Sequence, residues 1–68
     1  MLGAELRALR ERRGLSLRDV AYKAEIAVST LAQFETGKKY PTLHTLESIA
    51  QAMDIRFVIG PDETFLEE

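Results

Sequence analysis

Cationic side chains are the residues of this chain best suited to binding chemistry. Two stretches hold most of them: Arg7, Arg10, Arg12, Arg13 and Arg18, then Lys38 and Lys39. Such side chains bind phosphate oxygens through charge-assisted hydrogen bonds. The net charge is −2, but four acidic residues lie within the last seven positions. Because a local patch governs phosphate affinity more than the total charge does, this distribution allows a nucleic-acid ligand, although surface solubility explains it almost as well.

Groups that could support catalysis or bind a metal are few. The chain has no cysteine and a single histidine, His44, which we interpret as a solvated helix residue. One histidine without thiolates cannot form the usual ligand set of a zinc ion, and no glycine-rich loop of the P-loop or dinucleotide type is present. A chain of 68 residues would also struggle to enclose a ligand pocket of ~300 Å³. We therefore expect no enzyme activity and no cofactor.

Length and hydropathy limit the architecture to one small domain. Hydrophobic residues make up 46% of the chain, which is too many for a disordered segment. No apolar run approaches ~18 residues, so we expect no transmembrane helix. Charged residues follow Met1 and Leu2 too closely for a signal peptide. The expected location is the cytoplasm, without membrane contact.

The segment from Ser16 to Pro41 contains the elements that would position the cations. Ser16 and Asp19 form a capping box that starts one short helix. A second short helix is predicted over about residues 28–36, with Gly37 as its end. The two helices, the tight turn between them and the Gly-Lys-Lys loop after them have the layout of a helix-turn-helix that enters the DNA major groove.

Two further helices flank this segment. The spacing of Leu2, Leu6 and Leu9 predicts a helix over about residues 2–13. Thr42 is predicted to cap a last helix, whose apolar stripe is strongly periodic. The stripe consists of Leu43, Leu46, Ile49, Ala50 and Met53. The predicted fold class is therefore all-α, followed by a short C-terminal β-strand.

The strand is predicted where the hydrophobic period changes from that of a helix to alternation. The predicted strand consists of Ile55, Arg56, Phe57, Val58 and Ile59. A lone strand on a helical domain leaves backbone groups unpaired, so we expect it to pair with the same strand of a second copy. The predicted dimer interface is Ile55, Phe57, Val58 and Ile59, and the alternative is an extended tail packed on the helices.

We assign residues 1–56 to the helix-turn-helix domain and 57–68 to the strand and an acidic tail.

A set of apolar, hydroxyl, glycine, proline and charged positions follows one register without gaps through most of the chain. It consists of Leu6, Arg10, Gly14, Leu15, Ser16, Ala21, Ser29, Thr30, Leu31, Phe34, Glu35, Gly37, Lys38, Pro41, Thr42, Leu43, Leu46, Ile49, Ala50 and Met53. In this register the chain resembles the Cro and phage-repressor class of helix-turn-helix DNA-binding domains. The strand resembles, much more weakly, that of transcriptional antitoxins. The first resemblance implies a compact lambda-repressor-like bundle of about four to five short helices, and a dimer on a palindromic operator.

The resemblance also implies which residues contact double-stranded DNA. The base-contacting positions are Val28, Ser29, Ala32 and Gln33. The Gln33 amide can pair bidentately with adenine N6 and N7; the alternative is an ordinary solvated helix residue. The phosphate-contacting positions are Arg10, Leu17, Arg18, Lys38, Lys39 and Tyr40. For the two lysines the alternative is a solvated loop.

One further pair belongs to this implied site. In relatives the positions of Arg10 and Glu35 form a partly buried ion pair; the alternative is two unrelated surface charges.

Three residues depart from the family pattern. Leu17 replaces a common glutamine, Glu25 replaces a glycine at a cost of ~1 kcal/mol, and Ala27 replaces a capping serine or threonine at a cost of ~1 kcal/mol.

These observations predict a sequence-specific DNA-binding repressor that acts as a homodimer on a palindromic operator. The alternative is a protein-interaction module, or an antitoxin that binds a toxin through Phe65 and Leu66 of its tail. The two functions differ in one measurable property, because the affinity of a DNA-binding protein falls steeply as salt rises.

Overall fold

Four α-helices build the fold within the part of the chain that the computed structural model describes, which is the backbone of residues 1–59 and 64–67 and the side chains of residues 1–55. The helices are α1 (Leu2–Arg12), α2 (Leu17–Ala24), α3 (Val28–Glu35) and α4 (Leu43–Ala52). Two short strands follow, β1 (Arg56–Ile59) and β2 (Thr64–Glu67). The prediction of a small helical bundle is confirmed, with four helices among the described residues.

Side chains fix the starts of α2 and α4. The backbone N–H of Ser16 donates to Oδ2 of Asp19 at 2.9 Å, and the N–H of Asp19 donates to Oγ of Ser16 at 3.0 Å. This reciprocal pair is the predicted capping box. At α4, Oγ1 of Thr42 accepts from the N–H of Thr45 at 3.2 Å. By contrast, α3 begins after Ala27 with no side-chain cap.

One backbone motif ends all four described helices. A residue with positive φ follows each of them: Gly14 (67°), Glu25 (59°), Gly37 (80°) and Asp54 (56°). The next N–H then reaches back over one turn, as when Ile55 donates to the carbonyl oxygen of residue 50 at 2.9 Å. This is the Schellman arrangement. Because Asp54 turns the chain out of the helical path directly after α4, no fifth helical turn forms there.

Buried apolar side chains from all four described helices share one core. Leu6, Val20, Leu31 and Ile49 are its most deeply buried members. Helix α2 packs against α4, and α1 packs against α3. At the second contact Gly3 lets the two backbones meet, because a Cβ placed there would lie 2.3 Å from the carbonyl oxygen of residue 34. The first turn of α1 therefore lies directly on the last turn of α3.

The strand at the C-terminal end has a partner in its own chain. β1 pairs antiparallel with β2, and Arg56 lies opposite Glu67. The expectation of a lone strand is therefore wrong: β2 forms where the acidic residues indicated only a tail, and it satisfies one edge of β1 internally. Ile55 also differs from the prediction, because it is buried in the core before β1 begins. Positions 60–63 and 68, with three of the four acidic residues of the predicted tail, lie outside the described residues.

Candidate nucleic-acid interface

The outward side of α3 carries the four residues predicted to contact bases. They form two rows along the helix, Val28 with Ala32 and Ser29 with Gln33, because residues four apart lie on the same side. Val28 is 41% exposed. Ser29 is exposed, and Ala32 and Gln33 are half-buried. The buried residues of α3 lie on its other side, so this outward face is not needed for the core.

The loop after α3 uses its backbone N–H groups internally. Both Lys38 and Lys39 donate to the carbonyl oxygen of Gln33, at 2.9 and 3.3 Å, and Gly37 donates to the carbonyl oxygen of residue 34 at 3.2 Å. These bonds fix the loop to the end of α3. They also leave the side chains, rather than these three amides, as the groups that can bind an anion.

The side chains that this loop presents are cationic and aromatic. Lys38, Lys39 and Tyr40 are all exposed, and Tyr40 is 71% exposed. Two ammonium groups and a phenolic hydroxyl offer donors that suit phosphate oxygens. The structure thus places all three predicted phosphate contacts of this loop at the surface, directly after the helix that carries the base-contacting face.

The first turn of α2 supplies a second group of donors. The N–H groups of Leu17 and Arg18 have no acceptor among the described residues, whereas the capping box takes up the N–H of Asp19. The Leu17 side chain packs against the core, so only its amide is available, and the Arg18 side chain is exposed. A helix N-terminus with free amides favours an anion.

Arg10 and Glu35 form a buried ion pair. Nε of Arg10 donates to Oε2 of Glu35 at 2.8 Å, and its Nη2 donates to Oε1 at 3.0 Å. The third nitrogen, Nη1, donates to the carbonyl oxygen of Leu15 at 2.9 Å. One guanidinium therefore ties α1, the end of α3 and the segment before α2 together.

The burial of this pair decides its role. Arg10 is 9% exposed and Glu35 is 7% exposed. Donation of hydrogen bonds to the Glu35 carboxylate raises the pKa of Arg10, so the guanidinium stays charged. Because each of its nitrogens already donates inside the protein, Arg10 is suited to positioning, and its predicted phosphate contact stays a prediction.

The residues predicted to form a dimer interface do not all lie together. The backbone of Phe57, Val58 and Ile59 forms β1, whose pairing with β2 uses one of its two edges. Ile55 instead packs in the core of its own chain. An interface between copies stays a prediction for the three strand residues.

Two positions that matter here were missed by sequence reasoning. Gly3 allows the close approach of α1 to α3, and the side chain of Met1 lies beside the loop, with Sδ 3.3 Å from where a Cβ of Gly37 would lie. A glycine in the first turn of a predicted helix is the one signal that could have identified the first contact, since glycine weakens a helix interior.

Two kinds of site are not seen in the described part of the chain. No group of three or more histidine, cysteine, aspartate or glutamate residues is placed there to hold a metal ion. Among the helices described, none is both long and apolar enough to cross a bilayer.

Known proteins share this sequence pattern and this geometry. A regulator named DdrOP3 from Deinococcus deserti is 46% identical over 74% of this chain, which corresponds to 39% of the regulator. An immunity repressor of Bacillus phage phi105 is 35% identical over 98% of this chain and 47% of the repressor. The chain therefore spans less than half the length of each of these two curated relatives.

Two solved structures superpose well on the fold. The restriction-modification controller protein C.AhdI from Aeromonas hydrophila matches with a TM-score of 0.75 and 31% identity, over 76% of this chain and 79% of that protein. A SinR/SinI protein complex matches with a TM-score of 0.76 and 30% identity, over 82% of this chain and 55% of the matched one. The helix-turn-helix domain family matches residues 1–55. The chain therefore belongs to the helix-turn-helix domain family, within which it is similar to Cro and phage repressors.

Proposed function

We propose that this protein is a sequence-specific DNA-binding repressor. The observation that carries the proposal is the outward face of α3, beside an exposed cationic loop. None of its four residues belongs to the core: Val28 and Ser29 are exposed, and Ala32 and Gln33 are half-buried. The relatives support it, since two of them are named as a transcriptional regulator and an immunity repressor. In the proposed complex α3 lies in the major groove, and the protein occludes a promoter.

The base-contacting and phosphate-contacting groups have different tasks in this proposal. Gln33 pairs its amide with adenine N6 and N7, and Ser29 donates to or accepts from a base edge. The side chains of Lys38 and Lys39, with the free amides at the start of α2, fix the register on the phosphates. Arg10 holds Glu35 and thereby the end of α3, so it acts as a positioning residue.

The proposed active form is a homodimer on a palindromic operator. Two copies of α3 would then lie ~34 Å apart, one turn of DNA. The available edge of β1 is the proposed contact between copies, because an exposed strand edge pairs readily with another strand.

Phe57→Lys is expected to disfavour the dimer by placing a charge in the interface. A dimer of unchanged stability in sedimentation experiments on this variant would contradict the strand interface.

Selection of binding sites from random duplex DNA tests the proposal. The expected result is an enriched palindrome with half-sites about one turn apart.

Gln33→Ala is expected to relax the preference at one base pair per half-site by roughly 1–3 kcal/mol. The matched control is Gln51→Ala, because Gln51 is an exposed glutamine on α4 outside the proposed interface. No enrichment at low salt would contradict the function, and an unchanged motif with Gln33→Ala would contradict the role of that residue.

A protein-interaction module is the second candidate. Tyr22 on α2 is 84% exposed and borders an open cleft of about 470 Å³ that Leu15, Arg18 and Lys23 also line. Tyrosine and arginine are enriched at protein interfaces, and one matched structure is a protein–protein complex. Under this alternative, binding to DNA would be weak and Tyr22→Ala would abolish a partner's binding. A toxin as that partner stays a prediction.

A further inference from the structure

The apolar row on α3, Val28 with Ala32, suits one chemical group of a base. We infer that Val28 and Ala32 recognise the C5-methyl group of a pyrimidine in the major groove, supplied by thymine or by 5-methylcytosine. The inference rests on the proposed DNA binding and states which ligand that same face selects. If it holds, cytosine methylation can create a contact that unmodified cytosine lacks.

Val28 is an exposed apolar residue without a structural task in the described chain. It is the first residue of α3 and is 41% exposed, and it is not among the side chains that pack against the core. Valine is also less favourable than alanine in a helix. Ala32 lies one turn further on the same side of α3 and is half-buried, so the two form a short apolar strip.

The side chains of α3 cannot contact guanine in the commonest way, because none of them is cationic. Glu35 is the one charged residue in the helix, and it is buried against Arg10. No arginine or lysine within α3 can therefore donate to guanine O6 and N7. The neighbouring row offers only the hydroxyl of Ser29 and the amide of Gln33, so the face combines one polar strip with one apolar strip.

The complementary feature of DNA is the methyl group of a pyrimidine. Thymine displays its C5-methyl in the major groove, where apolar side chains contact it. Cytosine methylated at C5 presents the same group at the same position of the ring. An apolar strip of two side chains cannot read the donors and acceptors of a base, but it gains by covering a methyl group and removing it from water.

The experiment uses the full chain and its selected operator. Each thymine of a half-site is replaced in turn by deoxyuridine, which removes only the methyl group. At one or two positions the dissociation constant is expected to rise about four-fold, which corresponds to one lost methyl contact. With Val28→Ala the same replacements are expected to have a much smaller effect. Alanine is a good helix former, and a thermal melt monitors that the variant stays folded.

A second arm distinguishes the two sources of the methyl group. At the sensitive position, the thymine–adenine pair is replaced by cytosine–guanine and by 5-methylcytosine–guanine. The expected result is tighter binding of the methylated duplex by a similar factor, with a much smaller difference for Val28→Ala. Sensitivity to deoxyuridine without sensitivity to 5-methylcytosine would retain the methyl contact and assign its source to thymine.

The control variant is Gln51→Ala, which truncates an exposed side chain of α4 outside the proposed interface and should keep the sensitivity to methyl groups unchanged. Equal affinity for thymine and uracil at every position would overturn the inference and leave the proposed DNA binding intact. Failure to bind any duplex at low salt would overturn both. Loss of methyl sensitivity in the control as well would overturn the assignment to Val28.

Discussion

At the scale of single residues, the buried Arg10–Glu35 pair joins α1 to the end of α3. Burying two charges costs free energy that their attraction offsets only when the geometry is good and the remaining donors are satisfied. Both conditions hold here, because the carboxylate is bound through both oxygens and Nη1 donates to Leu15. The pair therefore fixes the end of α3, where the basic loop begins.

Glu35→Gln is expected to destabilise the protein by about 3–5 kcal/mol, because it leaves the buried Arg10 charge without compensation. Chemical denaturation measures this change. The matched control is Arg7→Ala, which breaks an exposed ion pair within α1: Arg7 Nε lies 3.4 Å from Glu11 Oε2, with side chains 61% and 55% exposed. The control is expected to lose less than about 0.5 kcal/mol. Equal losses in the two variants would contradict the argument.

A second prediction at this scale concerns Asp19 and pH. Hydrogen bonds from the backbone and the hydroxyl of Ser16 lower the pKa of Asp19 below its ordinary value of 3.8. A group whose pKa is lowered on folding stabilises the folded state above its unfolded pKa, and loses that contribution as pH falls through the folded pKa. The melting temperature of the wild type should therefore exceed that of Asp19→Asn near neutral pH. The gap should shrink as the medium becomes more acidic than pH 3.8; a constant gap would contradict the capping role of the carboxylate.

At the scale of elements, the helix ends explain which boundaries a sequence can reveal. Ser16 and Thr42 are good capping residues, and Gly14 and Gly37 are good terminators, so those boundaries follow from local chemistry alone. Glu25 and Asp54 terminate helices with the same positive φ, but without the glycine that makes such an end easy to recognise. Ile55 was assigned to the strand because it continues the alternation of Phe57 and Ile59, whereas the turn at Asp54 places it in the core.

Glu25→Gly is expected to stabilise the protein by about 0.5–1 kcal/mol, since glycine adopts a positive φ without the steric cost of a Cβ. The matched control is Lys23→Gly two residues earlier, inside α2, which is expected to destabilise the protein by about 1 kcal/mol. Thermal or urea unfolding of both variants checks the prediction. Destabilisation by Glu25→Gly would show that the glutamate side chain contributes more than its backbone strain costs.

At the scale of the whole molecule, contacts between segments determine how the outward face of α3 and the loop after it are held in place. That the predicted base-contacting residues share an outward face of α3 could be anticipated, because it needs only the register of one helix. The close approach at Gly3 could not be predicted, because it joins two helices far apart in sequence. The pairing of β1 with β2 could not be predicted either, because β2 lies in an acidic stretch that resembles a tail. The internal use of the loop amides was also not visible, since it follows from the way α3 ends.

Lys38→Ala combined with Lys39→Ala is expected to weaken the binding of all DNA sequences alike and to reduce the slope of log affinity against log salt by about two. The reason is that the loop contributes side-chain charges, while its amides stay bonded to α3. The matched control is Lys23→Ala, another exposed lysine, on α2, which should change the slope less. A selective loss for one base sequence would contradict the proposed role of the two lysines.

The contact between Met1 and the loop also makes the protein easy to observe. The chain has no cysteine, so one cysteine placed at position 1, behind an added start methionine, would accept one thiol-reactive fluorophore. That dye would lie beside Gly37, next to the proposed phosphate contacts. Its emission would then report the arrival of a duplex in real time, without any label on the DNA.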